Sequence, residues 1–495
     1  MRDGYLLTVD QSTSGTKAFL IDSRGEIVEK RSISHMQIYP QSGWVEHDPL
    51  ELYHNVKEVI NEIIQVKQVK QSDVRAMTIT NQRETVLIWD KLTGEPVYHA
   101  IVWQCRRTSS LCASYKEQGF EAMVHSKTGL TIDPYFSATK IKWVLDHVPG
   151  VRERAGKGEL KVGTIDSWLL WKLTNGDVHA TDVTNASRTL LYNIHTCEWD
   201  DELLELFGIP ASMLPEVRSS DAHYGEVASE DFLLTGFPIS GVIGDSQSAL
   251  FAQKCFETGM AKATFGTGTS IMVYSGLPLE VEKGLVTSVA WGRNNQVEYA
   301  LEGIIHTTGD VMRWMKDELT LFNDFKEAEM MAERLDDNGG VYLIPSFVGL
   351  GAPYWSPETR AGITGMGRNT NKAHIVRAGF ESIAYQVKDV IQLINEETNR
   401  EVNELRVDGG ATSNRFLMQF IADMLDIKVI VSQIAELSAL GSAYLGGLGV
   451  NVWSSVDMIK ELNDDKAQIF TPSMNAETRN RYYSGWKEAI QALLV

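Results

Sequence analysis

Cysteine is scarce in this sequence: there are four, Cys105, Cys112, Cys197 and Cys255, in 495 residues. Their spacing matches no metal-ligand pattern, and so few thiols cannot staple a chain this long. A disulfide framework and a cysteine-held zinc centre are therefore excluded, and a reduced, cytoplasmic home is expected. No uninterrupted apolar run approaches the roughly 20 residues of a membrane span. The opening Met1-Arg2-Asp3-Gly4 lacks the basic and apolar segments of a signal peptide. Positive charge is also in short supply. A formal net charge of −19 argues against a nucleic-acid or anionic-membrane surface. Any bound nucleotide must then be met by local donors and a metal ion.

What the chain does have is length, with 43% hydrophobic residues to fill a core. That is too long for one ordinary core and suggests two domains of about 200 to 250 residues each. Near the start, the apolar run Leu6, Leu7, Val9 stops at Asp10-Gln11-Ser12-Thr13-Ser14-Gly15-Thr16-Lys17 and resumes as Ala18-Phe19-Leu20-Ile21. This reads as strand, turn, strand. The turn gathers a carboxylate, four hydroxyls, a glycine and a lysine, a mix that can bind a metal ion and surround phosphate oxygens with donors. The pattern returns at Ala263-Thr264-Phe265, Gly266-Thr267-Gly268-Thr269-Ser270 and Ile271-Met272-Val273-Tyr274. Two such hairpins, each opening one half of the chain, suggest a duplicated fold whose halves face one nucleotide.

Between them, Asp48-Pro49 reads as an N-cap and first-turn proline, followed by Leu52, Val56, Val59, Ile60, Ile63 and Ile64 at helical spacing. Val74 to Thr80 and Thr85 to Trp89 alternate as strands around Asn81-Gln82-Arg83-Glu84, placing Arg83 and Glu84 at a hairpin tip or strand end. Two readings compete there. One is an exposed ion pair worth little. The other is a donor and acceptor set for vicinal hydroxyls, since guanidinium donates and carboxylate accepts. Trp103 and Tyr135 offer flat faces for the carbon chain of a polyol, although most aromatics so placed are core. Gly241-Val242-Ile243-Gly244 is an apolar strand that would carry Asp245 to a cleft floor or to a helix N-cap. Ile375, Ala378, Ile383, Ala384, Val387, Val390, Ile391 and Ile394 form a long helical stripe.

The strings DQSTSGTKA, TNQRET, AIVWQCRRT, DPYFSATKIKW, TDVTNASRTLL, GVIGDSQSALF, GAPYWSPETRAGITG and RVDGGATSNRFLMQF span most of the chain. With them the sequence resembles the FGGY carbohydrate kinases, most of all the branch that phosphorylates glycerol. One family signature, near Gly362 to Glu381, fits imperfectly because Gly379 replaces another small or aliphatic residue.

The resemblance implies an α/β fold of two actin-like ATPase (ribonuclease-H-like) domains, residues 1–250 and 251–495, with an interdomain active-site cleft. The implied reaction is ATP-dependent phosphorylation of a small polyol, glycerol to sn-glycerol 3-phosphate. Another polyol or ketose of the family is the enzymatic alternative; a sugar sensor or assembling ATPase is the non-enzymatic one. Residue by residue, Asp10 is implied as the Mg²⁺ carboxylate. Thr13, Ser14, Lys17 and Thr267 are implied at the terminal phosphates, Gly309, Gly410 and Asn414 at adenosine and phosphate, and Arg313 on the base side. Arg313 stands where relatives often carry glutamine. Arg83, Glu84, Trp103, Tyr135 and Asp245 match polyol positions, with Asp245 the general base. Two positions depart from the pattern: Ser246 replaces a glutamine and Ser270 a phenylalanine, which removes bulk around the polyol. The expected partners are polyol and ATP, with no nucleic acid or membrane insertion and with a homo-oligomeric state.

Overall fold

Apolar alternation on both sides of Ser12 builds an antiparallel pair, Tyr5–Gln11 and Gly15–Asp22. Its register sets Asp10 opposite Lys17, so the turn itself is only Ser12 to Ser14. The computed structural model describes residues 4–282, 284–354, 356, 358–462 and 467–494. In the first sheet the strand order is Ile239–Gly244, Val74–Asn81, Tyr5–Gln11, Gly15–Asp22, Ile27–Ser34. Tyr5–Gln11 runs parallel to Val74–Asn81, which runs parallel to Ile239–Gly244. The helix Pro49–Lys67 covers this sheet. Asp48 accepts a hydrogen bond from the Leu50 amide at 2.9 Å, and Pro49 occupies a position whose N–H would be unpaired in any case. The predicted stripe from Leu52 to Ile64 is buried in one core with Leu7, Val9 and Leu20.

The strands Val74–Asn81 and Val86–Asp90 do not form a hairpin. The second leaves for a separate four-stranded sheet, where it pairs with Ala100–Ile101 and Leu160–Thr164. Gln82 to Thr85 is thus the strand-end passage from one sheet to another, buried throughout.

A second set of strands repeats the first arrangement. Met260–Phe265 and Thr269–Tyr274 form an antiparallel pair around Gly266 to Gly268. The latter strand pairs antiparallel with Ala300 to Ile305, and the former runs parallel to Glu404–Gly409, itself parallel to Lys428–Ser432. In each set the antiparallel pair therefore has a third antiparallel strand on one side and two parallel strands on the other. That shared order is the duplication suggested by the two hairpins. The stripe from Ile375 to Ile394 lies on the 27-residue helix Lys372–Thr398. Gly379 has a packing reason within this helix: an added Cβ would lie 2.7 Å from Cε of Met315 and 3.1 Å from the sulfur of Met312. The two methionines occupy the space that a larger residue would take.

Two compact units contain these sheets. One comprises Met1–Lys254, Thr287–Tyr299 and Glu436–Asp464; the other comprises Cys255–Val286, Ala300–Ala435 and Asp465–Val495. A single division near residue 250 leaves out the two segments that return to the first unit. The helix Leu437–Gly449 in the returning segment packs closely on first-unit backbone. A Cβ on Gly441 would collide with the Ser248 carbonyl, and one on Gly446 with Thr78 and Ser240. All four cysteines are free thiols. Among the described residues no helix is long and apolar enough to cross a membrane.

A buried polar knot ties the five-stranded and four-stranded sheets of the first unit. Asp166 accepts from the Thr164 and Thr181 hydroxyls at 2.5 and 2.7 Å. Asp182 accepts from the Thr184 and Asn185 amides at 3.0 and 2.9 Å and from the Ser220 hydroxyl at 2.7 Å. The Thr184 hydroxyl in turn accepts from the Gly244 amide at 2.9 Å, immediately before Asp245. Burial, with Asp182 alongside, raises the Asp166 pKa to about 6. Between its unfolded value near 3.8 and that value the native state holds a proton the unfolded chain has lost. This site's contribution to stability therefore falls as pH rises through that window, by about 2 kcal/mol between pH 4.5 and 7. Asp166→Asn should improve the pH 7 stability relative to pH 4.5 by about that amount in urea denaturation. An unchanged difference would remove Asp166 as the source.

Candidate active site

The first hairpin concentrates charge. Asp10 is 5% exposed and its Oδ1 has no hydrogen-bond partner among the described residues. Burial pushes its pKa up to about 7; Lys17 opposes this, while Asp245 and Glu436 add to it. A carboxylate oxygen left bare in a buried position, with a second carboxylate near enough to raise its pKa, fits a divalent cation. Among the described residues no group of three or more His, Cys, Asp or Glu could hold a metal. Such an ion would complete its shell with water and phosphate oxygens, as Mg²⁺ does. Lys17 donates to Glu436 at 2.9 Å, and Lys30 pairs with the other oxygen of the same carboxylate. Burial opposes the charge on Lys17, but Glu436 and Asp10 outweigh it and raise its pKa. Ser14 is exposed and Thr13 half-buried at the turn.

The passage between sheets carries the polyol candidates. Arg83 and Glu84 are 5% and 1% exposed, so the reading of an exposed turn pair is incorrect. The strands part here rather than folding back, which takes the residues between them inward. Glu84 has φ of 60°, a left-handed conformation that costs energy in a non-glycine residue. Its Oε1 accepts from Arg188 Nε at 2.6 Å, and Arg188 Nη1 donates to the Ser288 hydroxyl at 2.7 Å. Arg83 Nε lies 3.4 Å from Asp245 Oδ1 and 4.0 Å from Glu84 Oε1, while its Nη1 donates to Gln247 Oε1 at 3.2 Å. Asp245 is the first residue of the helix Asp245–Ala252, and its side chain is 34% exposed, open to a ligand. The Ser246 amide donates to that carboxylate at 2.6 Å.

Trp103 and Tyr135 face each other with ring centroids 5.3 Å apart. The Arg188 guanidinium lies 5.9 Å from the Tyr135 ring centre, which joins this aromatic pair to Glu84. The fully buried Lys140 amine donates to the carbonyls of Tyr135 and Phe136 at 2.5 and 3.2 Å, fixing the loop that presents the phenol. Five polyol candidates of the first unit, Arg83, Glu84, Trp103, Tyr135 and Asp245, thus form one connected cluster.

In the second unit Thr267 is exposed at the tip of its hairpin, where its carbonyl accepts from the Thr308 amide at 2.9 Å. Gly309 opens the helix Gly309–Asp317 and donates its N–H to the Gly266 carbonyl at 3.1 Å. Arg313 is exposed on that helix. Gly410 has open space where a Cβ would stand, leaving its backbone approachable. Asn414 caps the helix Arg415–Leu425 through a bond from the Leu417 amide at 2.8 Å. The Ser270 hydroxyl donates to Glu302 Oε1, a buried carboxylate, at 3.0 Å.

Sequence reasoning missed Arg188 and Glu436. They are 104 and 419 residues from the side chains they pair with, and no local pattern announces them. The one available signal was a lone arginine within the otherwise uncharged Thr184-Asn185-Ala186-Ser187-Arg188-Thr189-Leu190-Leu191.

Two family models match: the FGGY family of carbohydrate kinases, N-terminal domain, over residues 5–252, and its C-terminal domain over residues 261–450. A glycerol kinase of Xanthomonas campestris pv. campestris is 49% identical over 496 residues, covering 100% of this chain and 99% of the relative. Glycerol kinase 2 of Thermotoga maritima is also 49% identical, covering 99% of each. Among solved structures, Plasmodium falciparum glycerol kinase with ADP superposes with a TM-score of 0.96 at 37% identity, covering 100% of this chain and 99% of that one. A xylulose kinase from Lactobacillus acidophilus, at 21% identity and TM-score 0.89, shares the fold. Matched by both halves of the family model and by relatives along its whole length, the chain belongs to the FGGY family of carbohydrate kinases.

Proposed function

We propose that this protein transfers the terminal phosphoryl group of ATP to glycerol, giving sn-glycerol 3-phosphate. The observation that carries the reading is the contact of Arg83 with both Asp245 and the buried Glu84, in a chain so similar to glycerol kinases. The guanidinium donates and Glu84 accepts, the grip a diol requires. Asp245, partly open beside them, takes the proton of the attacking hydroxyl, while Arg83 holds its carboxylate in place. Trp103 and Tyr135 flank the carbon chain with apolar faces. Thr13, Ser14 and Lys17 meet phosphate oxygens, with Thr267, Gly309, Arg313, Gly410 and Asn414 serving the nucleotide from the second unit. Asp10 holds Mg²⁺, which when bound neutralises charge on the phosphates. A cytoplasmic, homo-oligomeric enzyme is part of the same reading.

A second reading concerns substrate length. Ser246 and Ser270 are small where the family pattern is large, and a wider pocket would accept a tetritol beside or instead of glycerol. The bond from Ser270 to Glu302 favours this, since the hydroxyl sits beside a buried acceptor that can bond a further substrate hydroxyl through it.

Asp245→Asn keeps the shape but cannot take a proton. Its turnover should fall at least about 100-fold, equivalent to about 3 kcal/mol, while nucleotide binding persists. Near-normal turnover would dismiss Asp245 as base. Asp10→Ala should impair use of Mg²⁺-nucleotide more than binding of polyol, as read from the Mg²⁺ dependence of rate; an unaltered dependence counts against the metal role. For substrate length, kcat/KM is to be compared for glycerol, erythritol, threitol and pentitols in the native protein and in Ser246→Gln/Ser270→Phe. The wider-pocket reading expects the double variant to shift preference toward glycerol. If glycerol leads by orders of magnitude in both proteins, that reading fails and the glycerol assignment stands.

A further inference from the structure

Thr13 is held by three side chains from two separate places in the chain, His35 and Gln37 from one and Trp103 from the other. Its carbonyl accepts from His35 Nε2 and from Gln37 Nε2, both at 2.8 Å. Because a carbonyl only accepts, His35 must carry its proton on Nε2, and burial lowers its pKa toward the neutral ring. His47, buried and in edge contact with His35 at a centroid distance of 4.5 Å, bonds Gln37 Oε1 through Nε2 at 2.9 Å and fixes that amide's orientation. The backbone of Thr13 is therefore pinned twice, and what remains free to turn is its hydroxyl.

That hydroxyl is reached by the indole of Trp103. Trp103 Nε1 donates to Thr13 Oγ1 at 2.9 Å. An indole N–H can only donate, so Thr13 Oγ1 must accept here, and its single proton has to point elsewhere. No acceptor among the described residues takes it. The backbone of Trp103 is itself fixed, its amide donating to Thr85 Oγ1 at 3.2 Å, next to Arg83 and Glu84 in sequence.

We propose that Trp103 is a positioning residue for phosphate as well as a wall for the polyol. Its N–H forces the Thr13 hydroxyl to act as a donor toward a phosphate oxygen, so that ordering the indole by polyol and ordering the turn by nucleotide reinforce each other. This rests on the functional reading above, in which Trp103 meets polyol and Thr13 meets phosphate. The physical content is a coupling factor: the ratio of polyol dissociation constants without and with nucleotide, which must equal the ratio measured in the opposite order.

The experiment is isothermal titration of glycerol into the protein, with and without Mg²⁺ and a non-hydrolysable ATP analogue, and then in the reverse order. The native protein should give a coupling factor of about 5 or more. Trp103→Phe keeps an aromatic face but deletes the N–H, and whatever it does to glycerol affinity, the factor should fall below about 2. Thr13→Val, isosteric without the hydroxyl, should give the same loss from the other end of the bond, and the double variant no further loss. Because the readout is a ratio within each protein, general loosening of the site that weakens both titrations equally leaves it unmoved. A native factor near 1, or retention of the native factor in either variant, overturns the proposal while leaving the kinase reading in place. Failure of the native protein to bind glycerol or nucleotide at all would overturn that reading and this proposal with it.

Discussion

The first unit buries a carboxyl group where almost no water reaches it and surrounds it with cations. Glu84 is 1% exposed, and burial of an unpaired carboxylate would cost several kcal/mol. Arg188 makes it tolerable, and Arg83 adds a second cation at longer range. Breaking a buried pair costs more than replacing it by apolar groups, so such a set is weak evidence for stability and stronger evidence for use. The left-handed backbone at Glu84 fits this view: strain persists where the surroundings dictate a conformation. Asp245, Trp103 and Tyr135 are the partly open members of the cluster, the ones a ligand can reach.

The same logic applies to the net charge of −19. An acidic protein that binds phosphates must assemble positive potential locally. It does so with lysines anchored by one carboxylate: Lys17 and Lys30 both pair with Glu436. The two pKa effects at this spot run in opposite directions. Lys17 is driven toward the charged form, whereas burial, with Asp245 and Glu436 nearby, drives Asp10 toward the neutral one, and its Oδ1 has no hydrogen-bond partner among the described residues. Asp10 is thus the group there whose charge still lacks its partner.

Much of this was legible in the sequence because it is local. The two hydroxyl-rich hairpins, the Asp48 cap and the helical stripes are written in neighbouring residues, and each is present in the fold. The turn proved narrower than the eight residues between the apolar runs, because strand pairing continues through Asp10 and Lys17. Arg83 and Glu84 were ambiguous, since two alternating segments with four residues between them look like a hairpin whether the strands pair or part. Arg188, Glu436, His35 and Gln37 could not be found, because their importance lies in contacts across long stretches of chain. Gly379 is the inverse case: an apparent departure explained by two sulfurs that fill the space it leaves.

The path of the chain has a consequence for biosynthesis. The first unit is completed by Glu436–Asp464, whose helix lies against first-unit backbone so closely that its glycines admit no side chain. A ribosome has therefore passed through Ala300–Ala435 of the second unit before the first-made unit can finish its core, and Lys17 waits more than 400 residues for Glu436. The first unit cannot fold to completion as it emerges, because one piece of its core is made only after most of the second unit.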